Sequence, residues 1–349
     1  MSSPKPHFPC VVFGMPAEAY HADPSLGASS LKALLVDPFG ATFDYRRRNP
    51  LPDTPAFLEG RAVHTCVLEG VEQFEKRYAQ EPAPSGYPGC LVTLEDLKAF
   101  CRANGDKVSG TKAELAALVK ARDPKQIVFD DIMALFRAMV ERDNMSVLKP
   151  EMWARVKSRA EMIALNPHLA RAFRGGVPEV SVFWQEDGIP LKARFDYLKP
   201  RTIIDLKTFS NARGKPIDVA IKLAISEYSY DVQACHYLDG YRHFHALVKA
   251  GCVDGECPLP NGWEDQISPP DDISWTWIFT QTDVPLSIGR WIKADSPYLF
   301  HAEGDVARAK QRYAAGMERF GDSPWVSQEE IRQLTEHDQV GWKQVEEAA

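Results

Sequence analysis

The chain has little that would staple or anchor it. Its seven cysteines, Cys10, Cys66, Cys90, Cys101, Cys235, Cys252 and Cys257, are scattered and odd in number, and no CxxC pair occurs. That argues against a disulfide framework and a structural zinc site. Only Cys252 and Cys257 lie close, across a Gly/Asp/Glu segment, so unpaired thiols in a reducing compartment are expected. No apolar run approaches the ~20 residues that span a bilayer. The opening Met1-Ser-Ser-Pro-Lys-Pro lacks the basic-then-apolar order of a secretory leader. A cytoplasmic protein with no membrane partner is therefore expected. A surplus of positive charge is missing too: 41 Lys and Arg face 48 Asp and Glu, for a net charge of −7. This speaks against a nonspecific nucleic-acid coat. It leaves room for an acidic catalytic centre with local basic patches. Internal repeats and low-complexity tracts are also absent.

What is present is ordinary globular material, 44% hydrophobic and 26% charged over 349 residues. That suffices for one large domain or two smaller ones. Near the start, Ser29 or Ser30 is expected to cap a helix that Asp37-Pro38 stops. The run Arg46-Arg47-Arg48 follows, then a proline-marked loop. A helix is expected from about Thr54 to Glu69, with Ala56, Gly60 and His64 on one face. Residues 81–90 read as a linker. Two short helical patterns follow between Leu91 and Pro124, split by Asn104-Gly105-Asp106. Further helical stretches cover about Phe129 to Val140 and 149–174.

The periodicity then changes to two. Glu179 to Trp184, Ile189 to Tyr197 and Thr202 to Lys207 read as strands of an antiparallel meander, turned at Gly188 and Lys199-Pro200. A long helix over about Tyr230 to Val248 follows. The Gly/Pro/Asp-rich stretch 251–272 reads as a mobile loop. Ser274 to Thr280 and Pro285 to Trp291 read as strands, and Glu303 to Phe320 as a closing amphipathic helix.

Asp205 and Lys207 are two apart on a strand, so they share a face. With a tight turn near Pro200-Arg201, Asp196 falls opposite Asp205. Facing carboxylates repel unless a divalent cation lies between them, and hard oxygen ligands suit Mg²⁺ or Mn²⁺. Such a set fits phosphodiester hydrolysis, in which a metal polarises the phosphoryl oxygen and acidifies a water. Lysine would orient that water or stabilise developing charge. Taken alone, the hairpin is equally a surface turn with an Asp–Lys ion pair. Other residues in the same order are His64 on its helix, Glu179 at the meander's start, and Gln233 with Tyr237 one turn apart.

As a set, Gly60 to His64, Glu179, Arg194-Phe195-Asp196, Asp205-Leu206-Lys207-Thr208 and Gln233 to Tyr237 resemble the RecB-type branch of the PD-(D/E)XK nucleases. Within that branch the chain is most similar to the RecE (exodeoxyribonuclease VIII) family of phages and prophages. Tyr20-His21, Ser30-Leu31-Lys32, Asp37-Pro38 and the closing Ser323-Pro324-Trp325 match it too, so the likeness covers about 11–325. It implies an α/β (α+β) fold, with a mixed sheet and antiparallel meander flanked by helices. His64, Asp196, Asp205 and the Leu206 carbonyl would ligate Mg²⁺ or Mn²⁺. Lys207 would serve the water, Gln233 and Tyr237 the phosphate, and Glu179 would assist. Some RecB-type relatives carry a four-cysteine iron–sulfur cluster, and these cysteines do not offer one.

Residues around 91–124 resemble a SAP-type DNA-binding motif, through Leu94, Leu97-Lys98, Gly110 to Leu115 and Leu118. Lys98, Lys107 and Lys112 belong to its basic excess, which would contact phosphates. The expected layout is an N-terminal helical part (1–88), this insert (89–125), a nuclease core (126–325) and an acidic tail (326–349). The likeness implies a 5′→3′ exonuclease on duplex DNA ends, a homo-oligomer, and a RecT-like single-strand annealing partner. An endonuclease or repair nuclease, and a DNA-binding protein with a silent centre, are the rival readings. Arg46, Arg47, Arg48 and Arg61 are candidates for a 5′-phosphate.

Overall fold

The computed structural model describes residues 8–335 apart from 51, 53, 257–261, 328 and 332. Residues 1–7, Cys257 and most of the acidic tail therefore lie outside the described residues. β1 (Cys10–Val12) leads into α1 (Ala17–Ala22), α2 (Ala28–Val36), α3 (Ala41–Arg48) and α4 (Pro55–His64). The cap of α2 is Gly27, without a side-chain bond, so Ser29 and Ser30 sit inside the first turn rather than capping it. Asp37 ends α2 as expected and then serves the next helix. Its carboxylate accepts from the backbone of Phe39, Ala41 and Thr42 at 2.8–3.0 Å. The arginine run lies in the last turn of α3. Arg47 and Arg48 grip Asp44 at 2.7 and 2.9 Å and reach the carbonyls of Gly321 and Asp322. These two side chains clamp the backbone at 321–322, which weakens their claim on a phosphate.

Thr54 caps α4 by accepting from Phe57, with Pro55 at the first helical position. The helix then loosens into a π-turn over Thr65–Glu69. α5 (Val71–Arg77) and β2 (Tyr78–Gln80) follow. α6 (Leu94–Ala103) and α7 (Lys112–Arg122) come next, then α8 (Phe129–Arg142) and β3 (Ser146–Leu148), which pairs with β2. The expected helix over 149–174 is two, α9 (Pro150–Leu165) and α10 (Pro167–Ala172). Asn166 breaks it by capping the second through its side chain.

The meander forms as expected: β4 (Val177–Glu186), β5 (Ile189–Lys199) and β6 (Thr202–Phe209). α11 (Ile217–Glu227), α12 (Tyr230–Lys249), β7 (Val253–Asp254), β8 (Ser274–Gln281), β9 (Ser287–Lys293) and α13 (Phe300–Phe320) complete the chain. The main sheet has seven strands in the order β7-β1-β4-β5-β6-β8-β9. β6 and β8 run parallel while β4–β5–β6 and β8–β9 are antiparallel, so this is the mixed α/β sheet anticipated.

Each face of the sheet has its own core. Ile203, Phe209, Trp275 and Trp277 pack with Tyr241 and Phe244 of α12. Ile204, Leu206 and Ile278 pack with Val63 of α4, Phe74 and Val156. The alternation along β6 follows from the two-residue pleat. Each such side chain is worth roughly 1.5–3 kcal/mol of burial. That pins the register, and with it every polar residue between the apolar ones. Helices α6 and α7 each start with a capping box, Thr93/Asp96 and Thr111/Glu114. They close on a small core of their own: Leu97, Cys101, Leu115, Val119 and Val128. The six described cysteines are free. No helix among the described residues is long and apolar enough to cross a membrane.

Candidate metal centre

Pro200-Arg201 is the whole turn between β5 and β6. The register runs Lys199↔Thr202, Leu198↔Ile203, Tyr197↔Ile204. One rung further, Asp196 falls opposite Asp205, as the sequence suggests, and there the ladder stops. Asp196 Oδ2 instead accepts the backbone N–H of Leu206 at 2.9 Å. The β4–β5 ladder has its gap at the same level. Pro178↔Tyr197 and Val180↔Phe195 are paired, and the rung between them, Glu179 opposite Asp196, is not. Glu179 there has φ 55°, a left-handed conformation that costs a non-glycine residue about 1–2 kcal/mol. Three carboxylates, Glu179, Asp196 and Asp205, thus line up across three strands where the backbone pairing opens.

His64, the last residue of α4, brings Nδ1 to 3.6 Å from Asp196 Oδ2. One ligand-type atom from each of His64, Glu179 and Asp196 lies within 4.8 Å of the others. Burial and the adjacent Asp196 charge push the Glu179 carboxyl up to about 8. Its side chain keeps 32% accessibility, so water screens part of that effect. Arg194 partly offsets the crowding, with Nη1 3.7 Å from Glu179 Oε2. It is held by Ser181 Oγ at 2.9 Å and the Met15 carbonyl at 2.9 Å.

Asp205 is completely buried. Oδ1 accepts from Lys207 Nζ at 2.7 Å and from Gln233 Nε2 at 3.0 Å. Burial raises its carboxyl above the usual range, and the Lys207 charge opposes that. Gln233 therefore buttresses a carboxylate in this structure. Leu206 offers its amide to Asp196, and its side chain is core. Tyr237 sits edge-on between Phe195 and Trp275, 6.0 and 5.7 Å away, and burial lifts its phenol well above the ordinary value. It shapes the wall behind the row.

Sequence reasoning assigned no role to Lys32, which the structure brings to the same place. Its ammonium stands 5.2 Å over the Tyr230 ring, and Lys207 stands 5.0 Å over that ring. Burial, then the Lys207 charge, pulls Lys32 down to about 7. The signal was available: a lysine inside Leu31-Lys32-Ala33-Leu34-Leu35 interrupts an otherwise apolar helix. Lys98 and Lys112, in the insert, pair with Glu95 at 2.9 Å and Asp130 at 2.7 Å, while Lys107 is exposed.

An imidazole and two carboxylates crowded beyond comfortable charge density fit a divalent cation. Hard oxygens favour Mg²⁺ or Mn²⁺ over softer metals. A test follows from Glu179. Its folded value of about 8 exceeds the ordinary 4.5, so the folded state holds a proton that the unfolded chain has released between those values. The metal-free protein is therefore stabilised by this group at low pH and loses that contribution as pH rises toward 8. Adding Mn²⁺ at pH 7 should displace about one proton, read by calorimetry in buffers of different ionisation enthalpy. Glu179→Gln should release none. Equal release from both proteins would remove Glu179 from the ligand set.

Comparison with known proteins adds the family. The family described as "PDDEXK-like domain of unknown function" (DUF3799) matches residues 27–247, which takes in every residue of the row and both flanking helices. No curated protein matches the chain. Among solved structures, a "putative exonuclease" from Eubacterium rectale aligns over 87% of this chain and 88% of its own, with 12% identity and a TM-score of 0.45.

Proposed function

Because the chain belongs to the PDDEXK-like family, we propose that it is a metal-dependent deoxyribonuclease, an exonuclease that degrades duplex DNA from its ends in the 5′→3′ direction. The observation that carries this reading is the single rung on which Glu179, Asp196 and Asp205 line up beside Lys207.

Hydrolysis of a phosphodiester needs an activated water, stabilisation of charge on the phosphoryl oxygens, and a proton for the leaving oxygen. A divalent cation held by His64, Glu179 and Asp196 would supply Lewis-acid polarisation and an acidified water. Lys207 contributes a fixed positive charge. Its Nζ lies 2.6 Å from Asp205 Oδ2, so little reorganisation is needed when charge develops. Gln233 fixes Asp205, and Asp205 fixes Lys207. The backbone N–H of Leu206 orients Asp196.

Polarity, end dependence, a homo-oligomeric assembly and a RecT-like annealing partner belong to the same proposal, and their support is the likeness to the RecE family. Digestion of linear and covalently closed duplexes, with 5′- and 3′-labelled ends and Mg²⁺ or Mn²⁺, tests the activity. The expected result is release of 5′ label from linear DNA and an intact circle. Equal loss of the circle would make the enzyme an endonuclease.

The insert is proposed as a second DNA contact. Lys98 and Lys112 pair only with exposed acids, and such surface pairs are weak enough to yield to phosphates. Lys98→Ala with Lys112→Ala should flatten the salt dependence of duplex binding by about 1.8 in log–log slope, at ~0.9 per phosphate. An unaltered slope would separate the insert from the DNA.

A further inference from the structure

We infer that the cleft beyond the end of β6 binds single-stranded DNA, continuous with the strand held at Lys207; this rests on the nuclease reading of the centre. The loop that follows β6 begins three residues after Lys207 and is held rigidly. Ser210 Oγ and the Asn211 backbone N–H both donate to Asp283 Oδ2, at 3.1 and 3.0 Å. The Asn211 side chain closes the loop on itself, donating to the Lys215 carbonyl at 2.9 Å and accepting from its N–H at 3.1 Å. Between this loop and α11 lies a half-open cleft of about 380 Å³. Its lining includes Arg213 and Lys215 from the loop, Tyr228, and the apolar Ala220, Leu223 and Ala224 of α11. Neither Arg213 nor Lys215 forms an ion pair among the described residues, and Tyr228 is 50% exposed.

The cleft is joined to the centre by an aromatic step. The Tyr228 and Tyr230 rings lie 5.5 Å apart, and Tyr230 is the ring over which both Lys207 and Lys32 stand. A pair of cations, a pair of rings and a second pair of cations therefore follow one another from Asp205 outward: Lys207 and Lys32, Tyr230 and Tyr228, then Arg213 and Lys215. This is the chemistry that holds a single strand, with phosphates along the cations and bases stacked on rings. A duplex would not suit it, because its base faces are already stacked on one another. Glu227 is the one acid in the lining.

The test is fluorescence anisotropy of a labelled twelve-nucleotide oligodeoxythymidine with the full-length protein in chelator, where nothing is cut. Arg213→Ala with Lys215→Ala should raise Kd at least tenfold and reduce the salt slope by about 1.4, at ~0.7 per phosphate of a single strand. Tyr228→Ala should raise Kd at least fivefold with the slope unchanged, since stacking carries no charge. Tyr228→Phe should bind like the parent. All three side chains are replaced at exposed positions, so melting temperatures should stay level. Kd values within twofold of the parent for both the charge pair and Tyr228→Ala would overturn the inference. Duplex cleavage is scored separately. A parent protein that cuts while these variants bind normally loses only the cleft, and one that binds but never cuts with Mg²⁺ or Mn²⁺ loses the nuclease reading.

Discussion

Asp205→Asn is expected to lower cleavage of linear duplex DNA by on the order of 10³-fold, with the fold retained. The amide still offers one oxygen to Lys207 and Gln233, the two side chains that Asp205 Oδ1 holds, but it cannot supply the negative charge of the row. Asp205→Ala is the harsher change. Lys207 is only 13% accessible, and deleting its partner leaves a nearly buried ammonium unpaired, at about 3–5 kcal/mol. The pair Asp205→Ala with Lys207→Ala should therefore be more stable than Asp205→Ala alone, a non-additivity expected of residues in one network. Cleavage and urea unfolding of the four proteins check both statements. More than a tenth of parental activity in Asp205→Asn would remove Asp205 from the centre.

Gly316→Val is expected to cost roughly 3–5 kcal/mol, as much as truncating a buried tryptophan. The indole of Trp325 is 4% exposed and rests against two glycines. A Cβ on Gly316 would lie 2.2 Å from the ring, and one on Gly40, whose φ is 72°, would lie 2.8 Å from it. Phe43 and Phe320 flank the ring at 5.5 and 6.2 Å, and Arg47 stands 5.5 Å over it. The Trp325 backbone N–H reaches Asp44 Oδ2 at 2.9 Å. Trp325→Ala should lose a similar amount by itself. Adding Gly316→Val to it should cost little more, because the clash has gone. A full additive loss in the double variant would show that α13 itself, and not the seat of the indole, is what valine disturbs.

Much of this architecture was legible because apolar periodicity carries it. The meander, β8, α12 and α13 all bury alternating or helical stripes. The hairpin register followed from a two-residue turn, and so did the meeting of Asp196 with Asp205. Shorter pieces were not legible. β1 has three residues and owes its existence to β4 and β7 on either side, which no local pattern announces. α11 was passed over behind the loop at 210–216. In sequence Glu179 is only the residue that opens the meander, because its placement depends on a missing rung, a property of pairing and not of composition. Gln233 is expected from the resemblance to hold a phosphate, and in the structure its partner is a carboxylate of the protein. The arginines at 46–48 look like a phosphate grip in sequence, and two of them are spent on Asp44 and on carbonyls 274 residues away.

The small helical unit has a further consequence in the way its two ends meet. Leu91 bridges Val128, with the Leu91 N–H bonded to the Ile127 carbonyl and the Phe129 N–H to the Leu91 carbonyl, both at 2.9 Å. The chain leaves the body and returns to it one inter-strand spacing away, about 4.8 Å. Such a unit behaves as a cassette. Excision of residues 92–127 with a short splice across that gap should therefore leave the body on either side folded, as read by circular dichroism and thermal melting.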